Sequence, residues 1–217
     1  MKTSYAHFCL AARTLETVGD RWSLLIVRDL LAGRRRFSDL LRLLTSVTPK
    51  WLTIRLRELE AAGIVTRDQQ PGRREVWYEL TEKGRDLAPV LEALIGWGLK
   101  YARDPLEPDE PAHPEHLVAG LVVALNQVPR RPPAARAWRF EFDDSGDAHV
   151  VAYDGDRWAL DGERSPDVVF STTARAWAEF IVTPLAKRRL PSRDIRLSGS
   201  ARRVAEAVQV FGARPTR

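Results

Sequence analysis

Cysteine is nearly absent from this 217-residue sequence, and long apolar runs are absent altogether. The single thiol, Cys9, excludes an intrachain disulfide and any metal site built from several cysteines. No apolar run approaches the roughly 18–20 residues that a membrane-spanning helix needs. The first residues contain histidine and charges where a secretion signal would need an apolar stretch. We therefore expect a cytoplasmic, reduced protein that does not enter a membrane.

The common signatures of enzymes and metal sites are also missing. The sequence has no glycine-rich phosphate loop, no GxSxG nucleophile elbow and no HExxH pair. His113 and His116 form an "HPEH" pair, but prolines surround it and would preorganise the ligands poorly. We expect no metal, no cofactor and no enzymatic activity. A catalytic C-terminal half is an alternative that no group of residues supports.

Positive charge is concentrated in the first half of the chain. Residues 1–103 carry 18 Lys and Arg against 12 Asp and Glu, whereas residues 104–217 carry 16 against 17. A basic half joined to a near-neutral half indicates an anion-binding module attached to something else. Nucleic acid is the obvious anion, although arginine-rich surfaces are often only solvated.

The segment 104–114, "DPLEPDEPAHP", divides the two halves. It holds four prolines and four acids. Proline can continue neither a helix nor a sheet ladder, and like charges repel, so the segment is expected to be an exposed linker. The predicted domains are therefore 1–103 and 115–217.

The first half has a helical pattern that ends in a hairpin. Apolar residues recur three and four apart up to Gly33, and a short helix follows in "RFSDLLRLLT". A capping threonine and a proline at the first helical position begin the next helix, which Gly63 ends. "IVTRDQ" and "EVWYEL" are predicted strands around a "QPGR" turn, and a long last helix is predicted over 81–102.

The helix over 48–62 is expected to have one buried face and one basic face. Leu52, Leu56 and Leu59 form a narrow stripe, and Lys50, Thr53, Ile54 and Arg57 lie opposite it. A helix of this width fits the major groove, where Lys and Arg can read guanine edges. Alone, this pattern is typical of a solvated surface helix. A preceding helix and a following hairpin favour a winged helix-turn-helix.

These motifs carry a family resemblance. "GDRW", "LLIVRDL", "RRFSDL", "TPKWLTIRLRELEAAGIV" and "LTEKG" occur in order over about residues 7–101, and this part of the chain resembles the HxlR-type winged-helix transcriptional regulators. The resemblance implies a homodimer that binds operator DNA, with its recognition helix over 48–62 and its wing over 64–80. The residues it places on the DNA are Thr48, Lys50, Thr53, Arg55, Arg57, Arg73 and Arg74.

Cys9 departs from that resemblance. Some HxlR-type relatives have a "CP" dipeptide here, whose cysteine senses oxidants or electrophiles, whereas Cys9 is followed by Leu10. A reactive thiol needs neighbouring positive charge and solvent access. Cys9 is therefore a candidate redox sensor, with a plain buried or dimer-contact cysteine as the alternative.

The second half mixes helices with short strands, so the chain as a whole is predicted to be α+β. It resembles the sterol-carrier-protein-like domain, which implies an apolar pocket and a small apolar effector. The residues expected to line the pocket are Trp138, Phe140, Trp158, Phe170, Trp177, Phe180 and Phe211; aromatic residues at this spacing also form ordinary cores. The alternative function is an apolar-ligand carrier whose basic half binds a partner other than DNA.

Overall fold

The computed structural model describes residues 4–69 and 75–215. It divides into two compact units, Met1–Ala93 and Leu94–Arg217. The division falls before the proline-rich segment 104–114, and the predicted domain limits stay a prediction. None of the helices in the described ranges has both the length and the apolar content to cross a bilayer.

The first unit is a helical domain with a small sheet. In chain order its elements are α1 (Leu10–Val18), α2 (Ser23–Leu31), β1 (Arg35–Arg36), α3 (Phe37–Leu43), α4 (Pro49–Ala61), β2 (Val65–Asp68), β3 (Trp77–Leu80), α5 (Glu82–Arg85) and α6 (Ala88–Tyr101), the last of which contains the division. The sheet is antiparallel, with β3 between β1 and β2. This is the order of a winged helix-turn-helix, with β2 and β3 as the predicted hairpin strands.

One long helix predicted over 81–102 is interrupted. The structure has α5, a turn, and then α6. Pro89 lacks the N–H that a continuous helix would donate to the carbonyl of Arg85, so the chain breaks its helical ladder and begins again at Ala88. The single-helix prediction was wrong in this respect.

Helix α5 is bound tightly to the end of α4. The Thr81 hydroxyl donates to the carbonyl oxygen of Gly63 at 2.7 Å and accepts from the Gly84 N–H at 3.1 Å. Gly84 itself lies against Ile64, because a Cβ at position 84 would be 2.2 Å from the Ile64 carbonyl oxygen. The "LTEKG" motif therefore fixes the start of the wing to the helix that follows it.

The second unit packs helices against a mixed sheet. After α6 its elements are α7 (Pro114–Gln127), β4 (Arg136–Phe142), β5 (Ala148–Tyr153), β6 (Trp158–Leu160), β7 (Val168–Thr172), α8 (Ala174–Val182), β8 (Ile195–Gly199) and α9 (Ala201–Val210). The strand order is β6-β5-β4-β7-β8, and the β4–β7 pair is parallel while the other pairs are antiparallel. The mixed α+β class is confirmed, and the sterol-carrier-like assignment stays a prediction.

The seven aromatic residues predicted to line a pocket lie in the core of this unit. All are buried, and each ring packs against at least one other member of the set. The centroids of Trp138 and Trp158 are 4.4 Å apart, and those of Phe140 and Phe170 are 4.6 Å apart. This packing is that of an ordinary core, the alternative expected from the spacing, and a ligand role for these rings stays a prediction.

Candidate nucleic-acid interface

Helix α4 is fixed at both ends and along one side. At its start the Thr48 side chain accepts a hydrogen bond from the Trp51 N–H at 3.3 Å, and Pro49 occupies the first turn. Gly63 follows its end with φ of 68°, a left-handed conformation that favours glycine. The leucine stripe predicted for this helix is buried. The opposite face is therefore held towards solvent.

Two cations on that solvent face have no counter-charge among residues 4–69 and 75–215. Lys50 and Arg57 are exposed, and within the described residues no carboxylate lies at ion-pair distance from either. They are seven residues apart, which places them on the same side of the helix two turns from each other. Thr53, between them, donates its hydroxyl to the Pro49 carbonyl oxygen at 2.8 Å. The face offers two unpaired charges about 10 Å apart along the axis.

Arg55 is engaged inside the protein. Its Nε lies 3.1 Å from Asp20 Oδ1, and its Nη1 contacts Glu58. Only 21% of the side chain is exposed. The same Asp20 oxygen accepts the Trp22 N–H at 2.9 Å, so the "GDRW" turn between α1 and α2 is linked to α4. Of the residues predicted to contact DNA, Arg55 and the capping Thr48 therefore have visible structural roles as well.

The base of the wing carries cations that the sequence analysis did not single out. The guanidinium carbons of Arg34 and Arg36 lie 4.6 Å and 4.7 Å from the centroid of the Trp77 ring. Arg36 also pairs with Glu75 at 3.0 Å. Stacking against an indole restrains both guanidinium groups beside strand β3. The run "RRRF" was the available signal, but without strand register it did not show that two of its arginines lie over the ring of Trp77.

Charges from α4 and from the wing act on the same phenol. Burial raises the pKa of Tyr78, a residue of β3, and Glu60 adds to this effect. Arg67 on β2 and Arg57 on α4 oppose it. Arg57 of α4 and Arg67 of the wing are therefore both close enough to Tyr78 for their charges to act on its hydroxyl. Arg73 and Arg74, which the sequence predicts to contact DNA from the wing, lie outside the described residues.

Cys9 immediately precedes α1. The side chain is half-buried and is the one free thiol of the chain. Its carbonyl oxygen accepts the Arg13 N–H at 3.0 Å, while the Arg13 guanidinium lies over the ring of Phe8. Solvent reaches this end of the helix, since Phe8 and Leu10 are exposed on either side. A sensing role stays a prediction.

Comparison with known proteins decides the family of this domain. Residues 17–105 match the model of the HxlR-like helix-turn-helix family. The HTH-type transcriptional regulator YtcD of Bacillus subtilis is 43% identical over 91 residues, which are 41% of this chain and 71% of that protein. A regulator of the same type from Methanothermobacter thermautotrophicus is 36% identical over 96 residues, covering 44% and 73%. The chain belongs to the HxlR-like helix-turn-helix family.

A solved structure named for ytcD is 39% identical, covers 45% of this chain and 100% of its own, and has a TM-score of 0.43. The HxlR-like match begins at the end of α1 and includes α2 to α6 with both wing strands. It therefore contains the helix-turn-helix DNA-binding domain whose geometry is described above. Residues 106–217 lie beyond the HxlR-like match, so the second unit has to be understood from its own structure.

Proposed function

We propose that this protein is a transcriptional regulator that binds operator DNA with α4 in the major groove and the wing, 64–80, on the flanking backbone. The observation that carries the proposal is that Lys50 and Arg57, on the face opposite the buried leucines, have no ion-pair partner in the part of the chain that the structure describes. Guanidinium and ammonium groups donate well to guanine O6 and N7. Exposed cations without an internal partner can make such bonds without first breaking an ion pair.

The wing supplies the contacts that position the protein. Arg34, Arg36 and Arg67 lie at its base and along its first strand, where donors to phosphate oxygens would extend the footprint. Arg73 and Arg74, predicted from the sequence to belong to the wing, would add further phosphate contacts. Such contacts fix register and orientation, while sequence is read by α4.

We infer further that two copies act together. One small module rarely gives enough specificity against the many competing sites of a genome. Helix α6 exposes Leu94, Trp97 and Tyr101 at three- and four-residue spacing, which aligns them on one side. Large exposed apolar residues of this kind are costly unless a partner covers them. A second copy of the chain would do so.

The test is operator affinity in Lys50→Ala and Arg57→Ala. The operator is first selected from random duplexes with the purified protein, and binding is then measured by fluorescence anisotropy at several salt concentrations. Each variant is expected to lose about 1–3 kcal/mol on the operator and to relax specificity at one position. Arg157→Ala, which removes an exposed arginine from the second unit, serves as the control for net charge. Unchanged affinity in both α4 variants would contradict the groove assignment.

The wing is tested by Arg73→Ala and Arg74→Ala in the same assay. If these side chains hold phosphates, affinity falls about equally for all sequences and the salt slope decreases by about one per lost contact. A loss confined to the selected operator would instead assign them to base reading.

For Cys9 we propose oxidant sensing, which requires a thiol that is reactive in the folded protein. The measurement is labelling with a maleimide at neutral pH, with Cys9→Ser as the blank. A folded protein that takes up no label over hours would remove the sensor role and leave a structural or dimer-contact cysteine.

A further inference from the structure

The second unit has a surface pocket with a basic wall. Its volume is about 490 Å³, within the usual range for pockets that hold small molecules. The pocket is lined by Arg130, Arg131, Pro133, Glu206, Gln209, Val210 and Ala213. The aromatic core residues predicted to bind a ligand take no part in it. Any ligand of this pocket would therefore contact side chains other than those predicted from the sequence.

The one carboxylate in the pocket is already neutralised from another side. Glu206 accepts from Arg136 Nε at 2.6 Å and from its Nη2 at 3.2 Å, a two-point contact. Arg203 adds a third donor at 3.4 Å. The negative charge of Glu206 is thus shared between two arginines that do not line the pocket, and it opposes an incoming anion only weakly.

The two arginines that line the pocket differ in how firmly they are held. Arg131 donates to the carbonyl oxygens of Leu125 and Asn126, both at 2.7 Å, and so closes the C-terminal end of α7. Arg130 is exposed and makes one long bond, at 3.4 Å, to the Gln209 carbonyl oxygen. Within residues 94–215 no carboxylate lies at ion-pair distance from either. Arg130 therefore has donors to spare.

The backbone that follows the lining residue Ala213 pairs with the backbone of Arg188. Arg214, next to the lining residue Ala213, donates its N–H to the Arg188 carbonyl oxygen at 3.1 Å. The Arg188 side chain is buried and donates to the carbonyl oxygens of Thr183 and Ile181. Burial, reinforced by the charge of Arg103, lowers the pKa of Arg188 to about 10, so it remains a cation at neutral pH. Arg188 therefore adds a positive charge in the interior of the second unit.

From this arrangement we infer that the pocket binds a small organic anion: a carboxylate that Arg130 anchors, carrying a short apolar tail. A guanidinium presents parallel donors that match the two oxygens of a carboxylate. Val210, Ala213 and Pro133 supply an apolar surface for the tail. The concave shape and this apolar lining favour a small molecule over the backbone of a duplex.

Binding of an organic anion at this pocket does not depend on the proposed DNA function. Its test is isothermal titration of the full chain with octanoate, with octanol as the uncharged probe of equal length and inorganic phosphate as the anion without a tail. One octanoate per chain is expected, with octanol and phosphate each at least about tenfold weaker, since a charge-assisted bond and the buried tail each contribute that much.

Arg130→Gln should weaken octanoate binding about tenfold or more, because it removes the charge while keeping a donor and most of the volume. Arg157→Gln, an exposed arginine away from the lining, should leave it unchanged. Arg131 is left intact since it closes α7. Equal binding of octanol and octanoate, or full octanoate affinity in Arg130→Gln, would overturn the proposal. A natural chain that binds no octanoate, together with an Arg130→Gln protein that loses DNA affinity, would also overturn it and would assign this corner to DNA.

A regulatory role rests in addition on the proposed DNA function. Saturating octanoate should then change operator affinity by roughly 5–150-fold, the usual range for coupled sites. Octanoate binding with no change in operator affinity would support the site and remove its role as an effector site. Loss of operator binding in Lys50→Ala with octanoate binding intact would separate the two functions cleanly.

Discussion

The two units have cores of different composition. In the first, the buried hydrophobic side chains within residues 4–69 and 75–93 are all aliphatic, and leucines of α2, α3 and α4 predominate. In the second, tryptophans and phenylalanines from β4, β7 and α8 form the centre. The first unit places its tryptophans nearer the surface: Trp51 is 50% exposed, and Trp22 and Trp77 are half-buried.

This difference follows from what each core has to join. Short helices crossing one another leave narrow grooves, which leucine and isoleucine fill. A helix lying on a sheet leaves a wider gap, and a pair of stacked rings spans it. In the first unit aromatic rings are instead available to arginines at the surface, as at Trp77. The second unit therefore uses most of its aromatic rings for packing, whereas in the first unit an arginine lies over each tryptophan.

The largest expected effects come from emptying each core. Trp177→Ala should cost about 3–5 kcal/mol, and Leu56→Ala about 2–5 kcal/mol, because each leaves a cavity among residues that cannot fully close it. Hydrogen exchange followed by mass spectrometry should show lost protection first in the unit that carries the change. The exposed Trp51→Ala serves as the control. If either core variant lost hydrogen-exchange protection equally in both units, the two cores would not be independent.

Two threonine caps allow a finer test, one in each unit. Thr48 accepts the Trp51 N–H at the start of α4, and Thr173 accepts the Ala176 N–H at the start of α8. Alanine at either position should cost about 1 kcal/mol of unfolding free energy, measured by urea denaturation. Serine should restore it, since its hydroxyl can accept the same bond. If Thr48→Ala keeps full stability but binds the operator less tightly, Thr48 contacts DNA directly.

The smallest expected effect is a change in the pH dependence of folding stability. The N–H groups of Arg157 and Asp156 hold the pKa of Asp154 below its ordinary value of 3.8. A lowered folded pKa stabilises the fold above the unfolded pKa, and the gain is lost as pH falls through the folded value. Asp154→Asn should therefore be less stable than the natural chain near pH 6, with the difference shrinking as pH falls below 3.8. Urea midpoints across that range measure it. A difference that grows on acidification would contradict the assignment.

Local rules predicted the helix-turn-helix well. Thr48, Pro49 and Gly63 bracket α4 as expected, and the three leucines of its stripe are buried. These features depend on residues within one or two turns of each other, so periodicity and caps are sufficient to find them. The wing strands were found for the same reason.

The same local rules could not predict features that depend on contacts between residues far apart in the sequence. Arg55 is a residue type that often contacts DNA, and it lies on the predicted recognition helix. Only the fold shows that Asp20 lies beside it. The pocket around Arg130 joins residues as far apart in the chain as Arg130 and Ala213, and its carboxylate is neutralised by arginines from β4 and α9. The spacing of the aromatic residues in the second half was equally consistent with a packed core and with a ligand cavity. Spacing predicts which face of a strand or helix carries each ring, but it does not predict whether other side chains or a ligand pack against that ring.

The close contact of Gly84 with the Ile64 carbonyl has a genetic consequence. Every amino acid that a single-base change can substitute for glycine has a Cβ, and here that atom would lie 2.2 Å from backbone oxygen and 3.0 Å from Leu80. Backbone cannot move aside as a flexible side chain can. A saturating screen for operator-binding defects should therefore recover nearly all missense changes at codon 84, although position 84 itself has no side chain to touch DNA.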